Sequence, residues 1–588
     1  MASNARIARD LNTIADLLEL QDANPFRVRA YRNAAKTIED LERPARDLVA
    51  EGADLRELPG IGKDLATQIE RKLRGEDMEP LLELQGQVPP GLLDVVRVPG
   101  VGPKKARALW TELAVTGLDD LERAAKDGEI ACLKGFGAKT QDRILAGIDQ
   151  VRRFDERRRR VDAEAVVTPL LRWLEMHESV DRLEVAGSYR RGRDTIGDLD
   201  VLITSTDPAV VMEHFKAYEE VESVLGSGED KTSLLLADGF QVDLRVVEAD
   251  AWGAALLYFT GSKEHNVHLR RLAQEHEASL NEYGLWSKDG SKRLAGETEE
   301  GVYEALGLRW VPPELREDRG EIEAAASGQL PVLIEVEDIR AELHAHTDWS
   351  DGSGTLEEMM VAAADQGLTI FSITDHSPAL RMTGGLDREK LLRQWDALDK
   401  VKVPKGLTVL RGMEVDILED GTLDMDDDLL ARMDVVVASI HSRFELPEET
   451  LTQRIITALQ HPAVNILGHP TGRLLGQREG YALDLHAVIE AAIEHDVALE
   501  INAHPARLDL NDHWARIAAH AGAVLAINTD AHAPEELALL RHGVLQARRA
   551  WLRAEQVLNT WSDAHLRAFL EKDASWRNVW SENPETSQ

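Results

Sequence analysis

Two groups of residues in this chain have types and spacings that could do chemistry. The first is compact: residues 185–204 read V-A-G-S-Y-R-R-G-R-D-T-I-G-D-L-D-V-L-I-T. Asp198 and Asp200 lie two apart among Leu199, Val201, Leu202 and Ile203, so on a strand both carboxylates leave the same face. Adjacent carboxylates on a half-buried strand repel unless a divalent cation sits between them, which asks for Mg²⁺ or Mn²⁺. A strand over 183–186 leads into a Gly187-Ser188 turn and a short helix carrying Arg190 and Arg191, and Gly197 breaks the chain before the carboxylates. That turn offers backbone N–H groups, a hydroxyl and two guanidinium groups, all suited to phosphate oxygens. Metal and phosphate together suggest nucleotidyl transfer.

The second group is dispersed. His344 and His346 end an apolar run, two apart on one face as paired metal ligands require, and Asp351 follows. His376, Glu414, His441, His469 and the pair Asp530 and His532 then recur, each after a strand-like run: 370–374, 407–412, 435–440, 464–468 and 524–528. Helical stretches over 356–366, 482–494 and 513–521 lie between most of these runs. Repeated β-then-α units with ligand types at the strand ends describe a barrel whose site lies at its C-terminal mouth. Nitrogen and oxygen donors without thiolate suit Mn²⁺, Zn²⁺ or Fe²⁺, and the pattern does not choose among them. Such ions make a water acidic and stabilise charge on a phosphorane, which implies phosphoester hydrolysis.

Other elements must bring a substrate to these groups. Ile7, Leu11, Ile14, Leu17 and Leu18 repeat with helical period, and a second helix over 26–41 carries Arg27, Arg29 and Arg32 on a solvated face. A glycine, apolar residue, glycine turn then occurs three times, at Gly60-Ile61-Gly62, Gly100-Val101-Gly102 and Gly135-Phe136-Gly137. Each leads into a helical segment, over 64–73, 104–113 and 139–148, with Lys63, Lys104 and Lys139 in or just after the turn. Glycines let backbone approach backbone, and the next helix offers unpaired N–H groups to a DNA phosphate, a grip that reads no sequence.

At 588 residues the chain has room for about three or four domains. Its net charge of -37 argues against a general nucleic-acid grip, but acids and bases are roughly equal up to Arg160, so any such grip concentrates there. Arginine greatly outnumbers lysine, and the acidic surplus fits adaptation to high intracellular salt. The single cysteine, Cys132, excludes a disulfide framework and a Cys-based zinc site and fits a reducing cytoplasm. No apolar leader or run of about 18 apolar residues is present, so neither secretion nor membrane insertion is expected.

The unbroken pattern G-S-x-R-R-G-x(5)-D-x-D resembles the nucleotidyltransferase signature of the family X DNA polymerases, and the three glycine turns resemble helix-hairpin-helix motifs. The resemblance implies that Gly187, Ser188, Gly197 and Arg191 hold a nucleoside triphosphate, while Asp198 and Asp200 bridge two metal ions. Residues 240–247 alternate as a strand; Asp243 matches the family's third catalytic carboxylate, which helps deprotonate the primer 3′-hydroxyl, and Arg245 would pair with the carboxylates. Tyr258-Phe-Thr-Gly261-Ser resembles the family's nucleotide-binding helix entrance, with Tyr258 and Phe259 against the sugar and Asn266 at the base edge. In the basic run 157–160, Arg159 is the residue expected to reach the triphosphate. Some members cleave a 5′-deoxyribose phosphate through a lysine Schiff base; Gln68 stands at the aligned position, where an amide cannot form one, although Lys63 and Lys36 are near in sequence or domain. His344, His346, Asp351, His376, Glu414, His441, His469, Asp530 and His532 match, position by position, the ligands of the PHP (polymerase and histidinol phosphatase) family, whose barrel is a distorted seven-stranded one.

The fold expected is multidomain α+β and α/β: helical helix-hairpin-helix domains over 1–80 and 81–160, a palm over 161–250, a thumb over 251–316, a linker over 317–338, a distorted (β/α)7 PHP barrel over 339–575 and a tail over 576–588. The function expected is a monomeric, cytoplasmic DNA-directed DNA polymerase that fills short gaps in repair, using dNTPs and gapped or primer-template DNA. Mg²⁺ or Mn²⁺ would serve the palm, and two to three Mn²⁺, Zn²⁺ or iron ions a barrel acting as 3′-5′ exonuclease and 3′-phosphoesterase, without 5′-deoxyribose phosphate lyase activity. The alternatives are a small-molecule phosphatase tethered to a DNA-binding module and a non-enzymatic DNA-end scaffold.

Overall fold

The computed structural model describes residues 4–580 except 22, 40, 42–44, 51, 75, 77, 90, 99–100, 134, 155–156, 477 and 479. The chain divides into two compact units, Met1–Arg157 and Arg158–Gln588. The first is helical. Its opening helices, Asn4–Leu20 and Pro25–Glu39, bury the apolar stripe of Ile7, Leu11, Ile14, Leu17 and Leu18. Each glycine turn seats its middle residue in this core: Ile61 and Val101 are buried and Phe136 packs at the edge. Gly60, Gly62, Gly102, Gly135 and Gly137 remain exposed, and the helices that follow are Lys63–Leu73, Pro103–Leu113 and Ala138–Phe154. Gly100, one of the expected DNA contacts, lies outside the described residues.

The second unit begins with a five-stranded sheet ordered Val180–Val185, Asp198–Ser205, Gln241–Val246, Lys231–Leu236, Val221–Ser227. Only the pair Asp198–Ser205 and Gln241–Val246 runs parallel. Leu199, Val201 and Ile203 pack under the helices Arg160–Glu175 and Pro208–Lys216. Strand alternation then turns Asp198, Asp200 and Leu202 to the opposite face, where Leu202 meets Ala186, Ala255 and Leu256. Helices Trp252–Thr260 and Lys263–Glu275, a three-stranded antiparallel sheet and helix Glu299–Ala305 complete the thumb.

Seven parallel strands follow in chain order: Ala341–Glu342, Ile370–Ile373, Thr408–Asp416, Val435–Ser439, Ile466–Leu467, Ala498–Asn502 and Leu525–Asn528. A bridge between Ala345 and Ala531 brings the last strand beside the first and nearly closes a barrel. Leu343, Ile370, Leu410, Val437, Ile466 and Ala526 fill its interior, and Leu558, Trp561, Phe569 and Trp576 plug the end where the strands begin. The helices pack outside.

The structure departs from the sequence reading in four places. The strand Ala498–Asn502 was not anticipated, because no ligand-type residue follows it in the expected series. Glu414 lies within the strand Thr408–Asp416, beside Val437, and not beyond a strand over 407–412. Residues 317–338 are no linker: Glu321 is buried against His265, with Nδ1 and Oε1 2.6 Å apart, and Ile322, Leu333 and Ile334 enter apolar cores. Their acidic, small-residue composition supplies partners for buried basic groups, not solubility. Trp576, assigned to a tail, stacks on Trp561 with ring centres 5.7 Å apart; residues 581–588 lie outside the described residues. No helix among the described residues is long and apolar enough to cross a membrane.

Candidate active sites

On the palm sheet the parallel register sets Asp200 directly beside Asp243, so the third carboxylate comes from the neighbouring strand. Burial, then Asp198 and Asp243, pushes the Asp200 carboxyl up to about 7. Asp243 accepts from Gln241 Nε2 at 2.9 Å and pairs with Lys231, which the sequence reading missed; Lys231 begins the strand Lys231–Leu236, next in the sheet. Arg245 lies near enough to favour the charged form of Asp200, yet its guanidinium stacks 4.3 Å from the Phe259 ring centre. Gly187 has a left-handed φ of 61°, and a Cβ there would lie 2.9 Å from Asp200 Oδ2. Only glycine allows the turn to approach the carboxylate so closely.

The arginines beyond that turn are already engaged. Arg190 makes a paired contact with Glu299 at 2.8 and 2.9 Å, and buried Arg316 holds the same carboxylate from the other side. Burial opposes charge on Glu299, but Arg316 and Arg190 outweigh it and hold the carboxyl at about 2. Arg191 donates to the Thr260 carbonyl at 2.5 Å and to Glu317 at 3.2 Å. Tyr258 and Phe259 meet edge to face with ring centres 5.0 Å apart, and Asn266 Nδ2 donates to the Tyr258 carbonyl. Arg159, expected at the triphosphate, is paired with Asp162 at 2.7 Å, three residues further along the chain.

At the barrel mouth the Glu414 carboxylate is ringed by imidazoles: His469 at 3.0 Å, His376 at 2.7 Å, His441 at 3.4 Å, His344 at 3.5 Å and His346 at 3.6 Å. Asp530 lies 3.1 Å from His346, and Asp351 lies 3.5 Å from both His376 and His532. Among the described residues, three groups could each hold an ion: His346, Asp351, His376 and His532; His344, His346 and Asp530; His376, Glu414 and His441. His346 is flanked by the stacked rings of His376 and His532, each 4.3 Å away; burial and then those neighbours lower its pKa to about 3. For His441 burial works the other way from its carboxylates, and Glu414 and Asp416 win, raising it to about 10.

Outer acceptors fix three of the ring orientations. His344 Nδ1 meets Glu500 at 2.7 Å, His441 Nδ1 meets Asp416 at 3.1 Å, and His532 Nδ1 meets the Asp530 carbonyl at 2.8 Å. A proton held on each Nδ1 leaves Nε2 free to face the mouth, as ion coordination requires. His344 Nε2 and Glu414 Oε2 are buried without a hydrogen-bond partner. Asp375 accepts from Thr347, Ser350 and Gln394 and so pins the loop that carries Asp351. These donor sets fit divalent ions of the imidazole-and-carboxylate class.

Comparison with known proteins assigns stretches of the chain to five families. Residues 2–78 match a helix-hairpin-helix domain and 92–149 a SAM-like helix-hairpin-helix tandem. The DNA polymerase beta palm matches 146–242, the DNA polymerase beta thumb 255–317 and the PHP domain 342–504. The DNA polymerase/3′-5′ exonuclease PolX of Bacillus subtilis is 38% identical over 570 residues, which cover 96% of this chain and 99% of that protein. The chain is a family X DNA polymerase with a C-terminal PHP domain. Other relatives of the polymerase match its barrel alone: a probable phosphatase of Escherichia coli is 31% identical over 39% of the chain and 93% of its own length. Another, from Caldicellulosiruptor saccharolyticus, is 34% identical over 28% of the chain and 66% of its own length.

In this polymerase the nine dispersed residues of the barrel converge on one mouth; His469 touches Glu414 but stands outside the three ion-sized groups. The palm carboxylates converge through strand register. Glu500, Asp416 and Asp375 were missed. A charged residue inside an apolar run, as in Val497-Ala-Leu-Glu500-Ile501, is the signal that could have found Glu500. Gln68 accepts from the Glu79 amide at 3.0 Å, a structural use of that position.

Proposed function

We propose that this polymerase adds dNMPs to a primer in short gaps of DNA and, through its barrel, hydrolyses DNA 3′ ends as a 3′-5′ exonuclease and 3′-phosphoesterase. The observation that carries this reading is the end-to-end match to a relative named for both activities, in a chain with both sets of candidate residues intact. In the palm, Asp198, Asp200 and Asp243 hold Mg²⁺ or Mn²⁺, whose chemistry is to neutralise charge on the attacking and leaving oxygens. Asp243 helps draw the proton from the primer 3′-hydroxyl. Gly187, Ser188, Gly197 and Arg191 orient the triphosphate; Tyr258 and Phe259 pack on its sugar, and Asn266 faces the base edge. Arg159 would have to leave Asp162 to join them.

In the barrel the nine residues hold two to three Mn²⁺, Zn²⁺ or iron ions, which supply an acidic water and a charge sink for the phosphoester. Glu500 and Asp416 keep His344 and His441 in the required tautomer. The hairpin residues Gly60, Gly62, Lys63, Gly100, Gly102, Lys104, Gly135 and Gly137 grip the DNA backbone of gapped or primer-template DNA. We further read the chain as a cytoplasmic monomer without lyase activity. The test uses a 5′-labelled primer facing a short gap, with Mg²⁺ or Mn²⁺: it should lengthen with dNTPs and shorten without them. Lengthening alone gives the barrel another substrate. The probable phosphatases that match the barrel favour a monoester as that second substrate, and faster release of phosphate from a small monoester than from a DNA 3′ end would establish it.

A further inference from the structure

Besides pairing Arg541 with Glu164 of the palm, the barrel meets one particular palm turn. Residues 191–194 join Gly187, Ser188 and Arg191 to Gly197 and Asp198, the two halves of the assigned nucleotide site. Three side chains of the barrel meet this turn. Leu545, on the helix Leu540–Arg549, fills the space beside Gly192, where a Cβ would lie 2.7 Å from its Cδ1 and the backbone φ is +71°. Arg549, on the same helix and buried, donates to the Arg191 carbonyl at 2.5 Å, to Glu317 at 3.1 Å and to Asp512 at 2.8 Å. Arg473, in the loop that follows His469, donates to Asp194 at 2.8 Å and to the Leu508 carbonyl.

Glu317 extends the grip, because the carboxylate that Arg549 holds also accepts from Arg191 Nε at 3.2 Å and lies 3.7 Å from Arg193. Backbone and side chain of Arg191 are thus fixed through one barrel arginine. These contacts are shielded: the side chains of Arg473 and Asp194 are 15% and 19% exposed, and that of Arg549 is 1% exposed. A shielded charge pair resists thermal loosening better than a surface pair does, and removing one partner leaves the other unpaired. The helix also packs on the strands Ala498–Asn502 and Leu525–Asn528, the second of which leads to Asp530, so the turn rests on the framework of the barrel mouth.

We propose that Arg473 and Arg549 of the barrel are positioning residues for nucleotide binding at the palm, holding the turn 191–194 so that Arg191 and the Gly187-Ser188 backbone meet the triphosphate. The inference rests on the assignment of residues 187–191 to the triphosphate. A turn free to leave this conformation presents those groups only part of the time, and the apparent affinity falls by that fraction. The affected quantity is dNTP binding, while the carboxylates on the neighbouring strands keep their register.

The experiment is single-nucleotide insertion into gapped DNA by the full-length chain, comparing Asp194→Asn, Arg473→Gln and the double variant. Asp194→Asn preserves volume and therefore fold. Each single change should raise the KM for dNTP by about tenfold with kcat within about threefold, and the double variant should be no worse than the worse single one. Hydrolysis of a DNA 3′ end by Asp194→Asn should be unchanged. Arg549→Met, with its urea midpoint measured alongside, should raise the KM at least as much. A KM within about twofold of the parent in both single variants, or fully additive effects in the double, overturns the proposal. Arg191→Ala separates the two failures: an unchanged KM there refutes the triphosphate assignment itself, whereas a raised KM beside silent Asp194 and Arg473 variants refutes only the docking role.

Discussion

In the palm, Asp198 and Asp200 share one strand and Asp243 stands in register on the next; in the barrel, His346 and Asp530 come within 3.1 Å of each other although 184 residues separate them. The palm groups carboxylates with two nearby cationic side chains, Lys231 and Arg245, and burial with mutual repulsion lifts Asp200 to about 7. The barrel sets its carboxylates among imidazoles, of which His344, His441 and His532 have their outer nitrogens tied to Glu500, Asp416 and the Asp530 carbonyl. The palm thus offers an ion oxygen donors alone, whereas the barrel adds nitrogen donors, three of them oriented by outer acceptors.

Crossed substitutions break this comparison most directly. Asp200→Asn should lower primer extension by at least about 10³-fold and leave 3′-end hydrolysis within about twofold, whereas Glu414→Gln should do the reverse. Extension that survives Asp200→Asn but not Glu414→Gln would exchange the two assignments. Metal removal sharpens the contrast. After gel filtration in metal-free buffer, elemental analysis should find two to three ions still bound, and extension should require added Mg²⁺ or Mn²⁺. Stripping the remaining ions with a strong chelator should lower the melting temperature, since a ligand present at 100 times its Kd contributes about 2.7 kcal/mol.

A smaller effect concerns the lock between palm and thumb. Glu299→Gln leaves Arg190 and Arg316 without their shared carboxylate and should destabilise the chain by about 3–5 kcal/mol in urea unfolding. Because the folded carboxyl is held at about 2, below its ordinary value of 4.5, the stabilisation is full above that value and is lost as pH falls from 4.5 towards 2. The parent should lose its advantage over the variant in that window. The smallest effect is at the hairpins, where Lys104→Ala should weaken DNA binding alike for all sequences and reduce the salt slope by about 1.

Much of both sites was legible because their residues carry their own context. The string from Gly187 to Asp200 is one supersecondary unit, so spacing and alternation alone place its carboxylates on one face. The histidines of the barrel stand after short apolar runs whose length reads as buried strands. Lys231 was not legible, since a lysine at the start of a strand is ordinary until the sheet order sets it beside Asp243. The pairing of Arg159 with Asp162 at 2.7 Å was not legible, since spacing does not say which anion holds a guanidinium. The segment 317–338 misled because its acids looked solvated until Arg549 and His265 supplied buried partners.

The sequence by itself determined which groups are candidates for the chemistry, the β-then-α succession of the barrel and the three glycine turns, since each depends on periodicity or spacing within a few residues. Tertiary structure alone decided the register that sets Asp243 beside Asp200, the closure that brings Asp530 to His346, the outer carboxylates Glu500 and Asp416, and the docking of Arg549 and Arg473 on the palm turn. The physical reason is that these contacts join residues far apart in the chain. Their ordering cost is met only by the packing of whole strands and helices, which no local pattern records.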